Sequence, residues 1–407
     1  MSRRALLRNR SLLALLARDV VSVTGSQMTW LALPWFVLTT TGSPGRMAVV
    51  LAVESASLAV FGFLSGNVVA RLGPRRTMIV ADVARAPLVA LVPLLHALDA
   101  LSFPLLLGLV AAISAFTTPS FASKTTILPD IVGEDERVLT EANALLQAAN
   151  RITLVLGPPL AGVLIALVGA TNVLLIDAAT FLAGFALVAL FVRGGGRVEQ
   201  DEQSRGLAAG LRFLLRDPLL RPWSIAVIVG DAAWLVLFAA MPVLVLSRFG
   251  EEPALLGWIW GGWGLGAVLG SVVAFRVGAR FDRLLVASLG EVAMIAPLWL
   301  LLADVSALAL VLAMSLSGLA NGLVNAPIHT IFLTRTPRAL RAKVWSVIIV
   351  LTAVLGPVAL GVAAPALESA GFRAVVLVIV VVQTVAAVAF AAAGLRERSR
   401  ATQAAMA

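Results

Sequence analysis

The sequence predicts an all-α integral membrane protein, with twelve transmembrane helices in two six-helix bundles related by an internal repeat. Three observations support this prediction. Of the 407 residues, 60% are hydrophobic and 13% are charged, and the mean hydropathy is +0.99. Apolar stretches of membrane-spanning length fill the chain, and short patterns of its first half recur in its second half. Such a composition excludes a soluble enzyme, a nucleic-acid-binding domain and a disordered scaffold, because no single core could bury so much apolar surface.

A helix needs roughly 20 apolar residues to cross a hydrocarbon layer about 30 Å thick. Twelve stretches meet this need: 12–40, 46–70, 76–97, 102–129, 137–168, 172–193, 219–247, 254–278, 282–303, 307–333, 338–369 and 372–396. Short loops join them, which leaves no room for a domain outside the membrane. The first stretch is too long for a cleaved signal peptide and contains Arg18 and Asp19, so we expect it to be retained.

The basic residues predict the orientation of the chain. Most of the 31 Lys and Arg residues fall at the termini and in the loops of one side, whereas the loops of the other side hold only Arg46, Arg248 and Arg373. Positively charged loops stay in the cytoplasm. We therefore expect a multi-pass protein of the cell (inner) membrane with both termini cytoplasmic. The net charge of +9 then reflects topology and not nucleic-acid binding.

Short patterns of the first half recur in the same order in the second. The string GNVVA at Gly66 recurs as GSVVA at Gly270, Pro119 corresponds to Pro327, and a Gly-Pro pair at Gly157 recurs later in the chain. Parallel six-plus-six repeats are typical of transporters whose substrate site lies at mid-membrane between the two bundles.

The repeat predicts the domain boundaries. Residues 1–193 form the N-terminal bundle and residues 219–407 the C-terminal bundle. Residues 194–218 form a cytoplasmic linker that ends in an amphipathic segment, because Leu207, Leu211 and Leu214 fall on one helical face.

Two motifs resemble those of the major facilitator superfamily, and the resemblance extends over the whole chain. The segment Gly66-Asn-Val-Val-Ala-Arg71-Leu-Gly73-Pro-Arg75-Arg76 resembles that superfamily's G-x-x-x-D-R-x-G-R-R loop, and Gly157-Pro158-Pro159-Leu-Ala161-Gly162 is similar to its antiporter motif. The resemblance implies a cytoplasmic gate in which Gly66 lets the second and eleventh helices approach closely. It also implies that the arginines pair with carboxylates and helix C-termini.

One gate position departs from the superfamily pattern, because Ala70 stands where the pattern has Asp. Asp82 and Arg85 lie one helical turn apart and are the expected substitute pair. The glycines of the antiporter-like motif, Gly157 and Gly162, are expected to pack the fifth helix against the other half of the molecule.

A narrower resemblance concerns the first half. The segments Pro129-Asp130-Ile-Val, Glu141-Ala-Asn-Ala-Leu145 and Asp177-Ala-Ala-Thr-Phe181 look like the macrolide-efflux and enterobactin-exporter-like branch of the superfamily. This likeness implies export of a hydrophobic or amphipathic compound against protons.

Ionisable residues inside membrane spans are unfavourable there and are therefore functional candidates. Asp231, near the middle of the seventh stretch, is the first candidate for proton coupling, followed by Asp19 and Glu54. The first two have a structural alternative: Asp231 as an acid hydrogen-bonded to a neighbouring helix, and Asp19 as a group that reaches the membrane surface together with Arg18.

The resemblance implies that the first, fourth, seventh and tenth helices line a central cavity. The candidate cavity residues are Ser22, Ser26, Trp30, Trp234, Phe238, Met241, Asn321, Asn325 and His329. Outside this set, we expect Asp177 and Glu291 to be structural, Lys124 to reach the cytoplasmic surface and Arg151 to be the counter-charge of a buried acid. Trp258, Trp260 and Trp263 are expected to anchor at the membrane interface and not to bind a substrate.

These observations predict a secondary active transporter that exports a lipophilic or amphipathic small molecule, a drug or natural product, by proton antiport with alternating access. The alternatives are a siderophore exporter, a lipid flippase or an importer on the same fold, and a transport-inactive receptor or assembly protein. We expect no enzyme activity, no cofactor and no metal site, because the chain has two His and no Cys. The expected partners are the substrate, protons and membrane lipid, without nucleic acid, and the expected state is a monomer.

Overall fold

A computed structural model of the chain describes residues 6, 8–194, 207–277 and 281–406. Helices make up the regular structure of this described part. They are α1 Arg10–Thr41, α2 Pro44–Leu72, α3 Pro74–Ala97, α4 Phe103–Thr126, α5 Leu128–Val132, α6 Glu136–Val168, α7 Ala170–Phe191, α8 Leu207–Arg216, α9 Leu220–Phe249, α10 Pro253–Val277, α11 Arg283–Ile295, α12 Ala307–Arg335, α13 Arg341–Ser369 and α14 Gly371–Met406. Two 3₁₀ helices, Ala296–Leu302 and Arg338–Leu340, follow α11 and precede α13.

Local chemistry explains where the helices begin and end. The Asn9 side chain accepts hydrogen bonds from the backbone N–H groups of Ser11 and Leu12 at the start of α1. Ser102, Asp135, Asp282 and Ser306 cap α4, α6, α11 and α12 in the same way. Such caps satisfy N–H groups that have no partner inside the helix. At the end of α1, Gly42 adopts a φ of 64°, a left-handed conformation that glycine adopts without strain.

The predicted all-helical membrane fold is confirmed, but the count of twelve spans is not reproduced in full. Eleven helices of the described chain are long and apolar enough to cross a membrane. Among the helices that match the twelve predicted stretches, the one outside this set is α1, which is 32 residues long but carries Arg18, Asp19 and several other polar side chains. Each of the twelve predicted stretches nevertheless coincides with a helix to within a few residues, except that α14 continues beyond residue 396.

The chain divides into two compact units. The first comprises Met1–Gly42 and Val50–Asp201, and the second comprises Ser43–Val49 and Glu202–Ala407. In the first unit, α1 packs against α6 and α7, and α3 packs against α4 and α7. In the second unit, α9 packs against α13 and α14, and α11 packs against α12 and α14. The two units therefore use the same pattern of helix pairs, as expected of an internal repeat.

The second unit contains a close helix pair that the first does not reproduce. A methyl group on Gly266 or Gly270 of α10 would overlap backbone atoms of α12, and one on Gly318 or Gly322 of α12 would overlap backbone atoms of α10. In the first unit, by contrast, a methyl group on Gly66 of α2 would meet no atom within 4 Å. The approach of the second and eleventh helices predicted at Gly66 stays a prediction, because Gly66 and the eleventh helix belong to different units. Within a unit, the small-residue spacing that produces such contacts is found at the repeat equivalent of Gly66, which is Gly270.

Only part of the predicted linker can be described, because residues 195–206 lie outside the described residues, as do residue 280 and residues 1–5 of the basic N-terminus. The segment that follows forms the amphipathic helix α8. Its Leu214 is buried and its Gly210 lies against the backbone of α13 at Lys343, whereas Leu207 and Leu211 are exposed.

Large apolar side chains cover much of the protein surface. Phe275 is 91% exposed, and Leu167, Leu190 and Val362 are each about 70% exposed. Soluble proteins do not expose apolar surface on this scale. Lipid is therefore the solvent for these helices.

Candidate functional site

Six charged side chains lie buried among the helices of the first unit, and we call them the charge cluster: Arg18, Asp19, Asp82, Arg85, Lys124 and Asp177. They come from α1, α3, α4 and α7. A buried charge is unfavourable without a partner, so the burial of these six side chains depends on partners from other helices.

Arg18 and Asp82 form the most tightly bonded pair of the charge cluster. The Arg18 Nη2 atom lies 2.7 Å from one Asp82 carboxyl oxygen, and Nε lies 3.1 Å from the other. The same Nη2 donates to the Ser120 hydroxyl at 2.6 Å. Gly184 of α7 leaves room for this pair, since a Cβ atom there would lie 3.1 Å from the Asp82 carboxyl. The pairing predicted between Asp82 and Arg85 is therefore wrong, because Arg18 of α1 reaches Asp82 with two parallel hydrogen bonds.

Asp19 is paired with Lys124. The Lys124 ammonium lies 3.2 Å and 3.3 Å from the two Asp19 oxygens and donates to the Asn150 side chain at 3.2 Å. Asp19 is 1% exposed and Lys124 is 3% exposed. Lys124 therefore does not reach the membrane surface, which corrects the prediction for this residue. Lys124, and not the exposed Arg151, supplies the counter-charge of Asp19.

Arg85 and Asp177 complete the charge cluster without a direct salt bridge between them among the described side chains. Arg85 donates to the Ser26 hydroxyl at 3.2 Å and lies 3.9 Å above the Phe181 ring. Asp177 accepts hydrogen bonds from the hydroxyls of Thr29 and Thr180 at 2.5 Å and 3.0 Å. Both groups lie within electrostatic range of one another.

The remaining polar residues predicted in the first unit take different positions. Glu54 of α2 is half-buried and lies within electrostatic range of Arg85. Ser22 is buried, and its carbonyl accepts a hydrogen bond from Ser26. Trp30 is half-buried on the same helix.

The loop motif after α2 contributes one contact to the end of another helix. Arg75 donates to the carbonyl groups of Val192 and Ala189 at 2.7 Å and 2.8 Å, at the C-terminal end of α7. A guanidinium in this position satisfies carbonyl groups that have no partner inside the helix. Arg71 and Arg76 are exposed, and Gly73 has a φ of 79° at the turn between α2 and α3.

The antiporter-like motif lies within α6, where Pro158 and Pro159 interrupt the backbone hydrogen bonding. A Cβ atom at Gly157 would lie 2.7 Å from the Gln27 side chain of α1. Gly157 thus packs α6 against a helix of its own unit, and the expected contact with the other half stays a prediction. Gly162 is buried in the same helix.

In the second unit, Asp231 lies near the middle of α9. Two acids and four aromatic residues lie around it, and we call them the acid–aromatic group: Asp231, Glu291, Trp234, Phe238, Trp260 and Trp263. Thr352 of α13 lies beside Asp231, and the Glu291 carboxyl of α11 is within electrostatic range. No salt bridge in the described part of the chain involves either acid.

The four rings of the acid–aromatic group pack together on the face of α9 that continues from Asp231. Trp234 lies 5.8 Å from Trp263 and 6.4 Å from Trp260, and Phe238 lies 5.2 Å from Trp260. Trp260 and Trp263 therefore pack on aromatic rings of α9, whereas Trp258 is exposed. Met241 is fully buried one turn further along.

The polar stripe predicted on α12 is present. The Asn325 side-chain amide donates to the backbone carbonyl of Asn321 at 3.1 Å and to the side-chain carbonyl of Asn321 at 3.0 Å. His329, one turn further, stacks on the Trp345 ring at 4.6 Å between centroids.

Sequence reasoning missed the partners of the charged groups. Ser120, Asn150 and Thr29 each contact a buried charge, and Thr352 lies beside the exposed Asp231, yet each is an uncharged residue that its own helix sequence does not single out. Lys124 carried a usable signal, since a lysine inside a membrane span needs a partner.

Comparison with known proteins decides the family. The model of the Major Facilitator Superfamily matches residues 20–256. The chain belongs to the major facilitator superfamily. This confirms the resemblance found in the sequence, and it makes the protein a multi-pass membrane transporter that acts on a small molecule.

Within the superfamily, the chain is similar to two multidrug efflux pumps and to two transporters of known structure. It is 28% identical over 378 residues to the multidrug efflux pump Tap of Mycolicibacterium fortuitum, covering 90% of this chain and 91% of that one. It is 28% identical over 380 residues to the multidrug efflux pump Tap of Mycobacterium tuberculosis, covering 89% and 88%.

The nucleoside transporter NupG superposes with a TM-score of 0.77 at 16% identity, covering 94% of this chain and 98% of that one. A bacterial homologue of the human lysosomal transporter Spinster gives 0.72 at 14% identity, covering 94% and 96%. At such identities these structures establish the fold alone.

Proposed function

We propose that this transporter exports lipophilic or amphipathic drugs from the cytoplasm or inner leaflet by proton antiport, with access alternating between the two sides of the membrane. The similarity to two multidrug efflux pumps extends over most of each chain and supports the substrate class. It also agrees with the narrower resemblance to exporters of hydrophobic compounds.

The observation that carries the proposal is the environment of Asp231. The carboxyl group is exposed near the middle of a membrane-spanning helix, with Thr352 close by, and none of the salt bridges among the described residues involves it. A carboxylate without a counter-charge in such a place is strongly disfavoured. It therefore becomes neutral either by taking a proton or by binding a cationic guest.

The aromatic rings next to Asp231 suit the second possibility. Trp234 and Phe238 continue its face of α9, and Trp260 and Trp263 extend the aromatic surface. Aromatic faces attract cations and offer apolar area to a drug-sized molecule. Competition between a proton and a guest for one carboxylate couples the two movements, because each releases the other.

The two units contribute differently to this scheme. Asp19 is already neutralised by Lys124, so its proton uptake requires that the pair separate. Asp231 needs no such separation. We therefore place the first proton-coupling role on Asp231, and we place Asp19 and Glu54 after it.

The test uses the full-length protein reconstituted in vesicles, with ethidium as a lipophilic cationic probe and an imposed pH gradient. We expect gradient-driven ethidium movement by the unmodified protein, and its loss in Asp231→Asn, while exchange of ethidium without a gradient continues. Glu252→Gln, which removes an exposed acid of the same unit, is the matched control and should transport normally. Gradient-driven transport by Asp231→Asn at the unmodified rate would remove Asp231 from the mechanism. An unmodified protein that moves no probe under any condition would favour a receptor or assembly role.

A further inference from the structure

The segment Asp177–Phe181 of α7 is built around Arg85, although neither the gate nor the drug site accounts for it. Asp177 accepts hydrogen bonds from Thr29 and Thr180, and Phe181 lies 3.9 Å below the Arg85 guanidinium. A methyl group at Gly25 of α1 would overlap the Asp177 carboxyl and the Thr180 hydroxyl. Three side chains of one short segment and a glycine of α1 thus shape the surroundings of a single carboxyl and a single guanidinium.

Arg85 is incompletely satisfied where it lies. Its Nη2 atom donates to Ser26 at 3.2 Å, but its Nε atom is buried and has no hydrogen-bond partner among the described groups. The residue is 7% exposed, so water does not replace the missing acceptor easily. A buried donor without an acceptor is unfavourable, because its hydrogen bond to water is lost on burial and not replaced. Arg85 is therefore not fixed by a salt bridge, in contrast to Arg18.

Arg85 is one positive charge that faces two acidic side chains without another basic partner of their own. Within the charge cluster, Arg18 pairs with Asp82 and Lys124 pairs with Asp19, which leaves Arg85 and Asp177. Glu54 of α2 adds one more negative charge. The charged groups that face Arg85 are Asp177 and Glu54, together with the Asp82–Arg18 pair, and Asp82 also lies within range of Asp177.

We propose that Arg85 is a charge switch shared by Asp177 and Glu54, and that these two carboxyls together carry one exchangeable proton in the first unit. One guanidinium can neutralise one carboxylate at a time. The other carboxyl remains neutral by holding a proton, since an unpaired carboxylate is disfavoured inside a membrane protein.

The switch has two positions. When Glu54 holds the proton, Arg85 is left to Asp177, and both stay attached to α1 through Ser26 and Thr29. When the Glu54 O–H bond breaks and the proton leaves to water, the new carboxylate attracts the guanidinium away from Asp177. As the guanidinium moves, its bond to Ser26 breaks and Asp177 takes up a proton from water, so that one of the two carboxyls is neutral again. Both changes reach α1, the helix that carries Asp19 and Ser22.

The role of this switch in transport rests on the proposed proton antiport. The test of the switch itself counts protonated carboxyls and does not require transport. Infrared difference spectra of the full-length protein in lipid, recorded over a pH series, count the protonated carboxyl groups that titrate. Glu54→Gln and Asp177→Asn each leave one acid for Arg85, so we expect each variant to lose one titrating carboxyl. Arg85→Gln leaves both acids without a counter-charge, so we expect that variant to gain one.

Two controls accompany these variants. Arg85→Lys keeps the positive charge and should keep the unmodified count, and Glu134→Gln removes an exposed acid and should leave the buried signal unchanged. If Glu54→Gln alone removes the signal, the proton belongs to Glu54 and the sharing is overturned. If both amide variants keep the signal, or if Arg85→Gln adds none, the switch is overturned as well. If the unmodified protein moves no ethidium but its infrared spectra give the predicted number of titrating carboxyls, the proposed export is contradicted and this inference stands.

Discussion

At the scale of single residues, the buried pair Arg18–Asp82 shows how charge is kept inside this membrane protein. Two parallel hydrogen bonds join the pair, and Ser120 satisfies a further donor of the guanidinium. Charges are tolerated in such a place only when their hydrogen-bonding groups are occupied. The pair therefore holds α1 to α3 in one register.

Removing one member of this pair tests that role. We expect Arg18→Ala to lower the free energy of unfolding by about 3–5 kcal/mol, because Asp82 is left buried without a counter-charge. The double variant Arg18→Leu, Asp82→Leu should be less damaging than the single one, since it leaves no unpaired charge. Thermal unfolding of the purified full-length protein measures both, and equal losses would show that the pair contributes only packing.

Asp282 gives a pH-dependent case at the surface of the second unit. Partial burial raises the pKa of Asp282, but hydrogen bonds from the Leu285 and Leu284 N–H groups and from Arg398 lower it further, so that the pKa lies below its ordinary value. The ionised form is thus the one that the folded state stabilises. This contribution is present above the unfolded pKa of about 3.9 and is lost as the pH falls through the lower folded value.

Asp282→Ala should therefore reduce stability by about 1 kcal/mol at neutral pH, the usual effect of losing an N-cap. Asp282→Asn keeps a capping side chain but not the charge. Its stability should fall less than that of Asp282→Ala, and it should depend less on pH than that of the unmodified protein. Melting temperatures recorded from neutral pH to below about pH 4 compare the three proteins. A difference between the unmodified protein and Asp282→Asn that grows on acidification would contradict the assignment.

At the scale of helices, the close contact of α10 with α12 distinguishes the second unit. Gly266 and Gly270 lie against the backbone of α12, and Gly318 and Gly322 lie against the backbone of α10, so closely that a methyl group on any of them would overlap backbone atoms. Glycine at these positions lets the helices gain van der Waals contact over several turns. We infer that α10 and α12 behave as one rigid pair.

Gly318→Ala tests this contact, because the added methyl group would overlap the Trp263 carbonyl. We expect a loss of about 1–3 kcal/mol in the free energy of unfolding, the usual effect of overpacking. The matched control is Gly108→Ala in α4, where a methyl group meets nothing within 4 Å. That change should be neutral or slightly stabilising, because alanine favours helices more than glycine does. Equal effects of the two changes would rule out a tight contact at Gly318.

At the scale of the whole molecule, orientation in the membrane is the property that remains a prediction. The distribution of Lys and Arg places residue 99 outside the cell and residue 134 in the cytoplasm. The chain has no cysteine, so a maleimide label can attach to a single introduced cysteine alone and shows which side of the membrane that residue faces.

We expect Asp99→Cys to react with a membrane-impermeant maleimide in intact cells, and Glu134→Cys to react only after permeabilisation. Both positions lie in loops between helices, where substitution should not disturb packing. Labelling of Glu134→Cys in intact cells, with no labelling of Asp99→Cys, would reverse the predicted orientation.

Much of the fold was accessible from the sequence, because its signals are local. The apolar runs, the capping residues and the prolines at helix starts lie within the segments that they define, so the predicted stretches coincide with helices. The exception is α1, where polar side chains such as Arg18 and Asp19 weaken the local signal. The same residues become understandable once their partners are known.

The sequence by itself determined that this chain spans a membrane repeatedly, that its halves repeat and that carboxyl groups lie inside its helices, since composition and spacing suffice for these properties. Only the tertiary structure decided which charges meet. Arg18 binds Asp82, Lys124 binds Asp19, and Arg85 remains between two acids. Partners on different helices are far apart along the chain, and the packing of several helices at once determines which of them come within hydrogen-bonding distance.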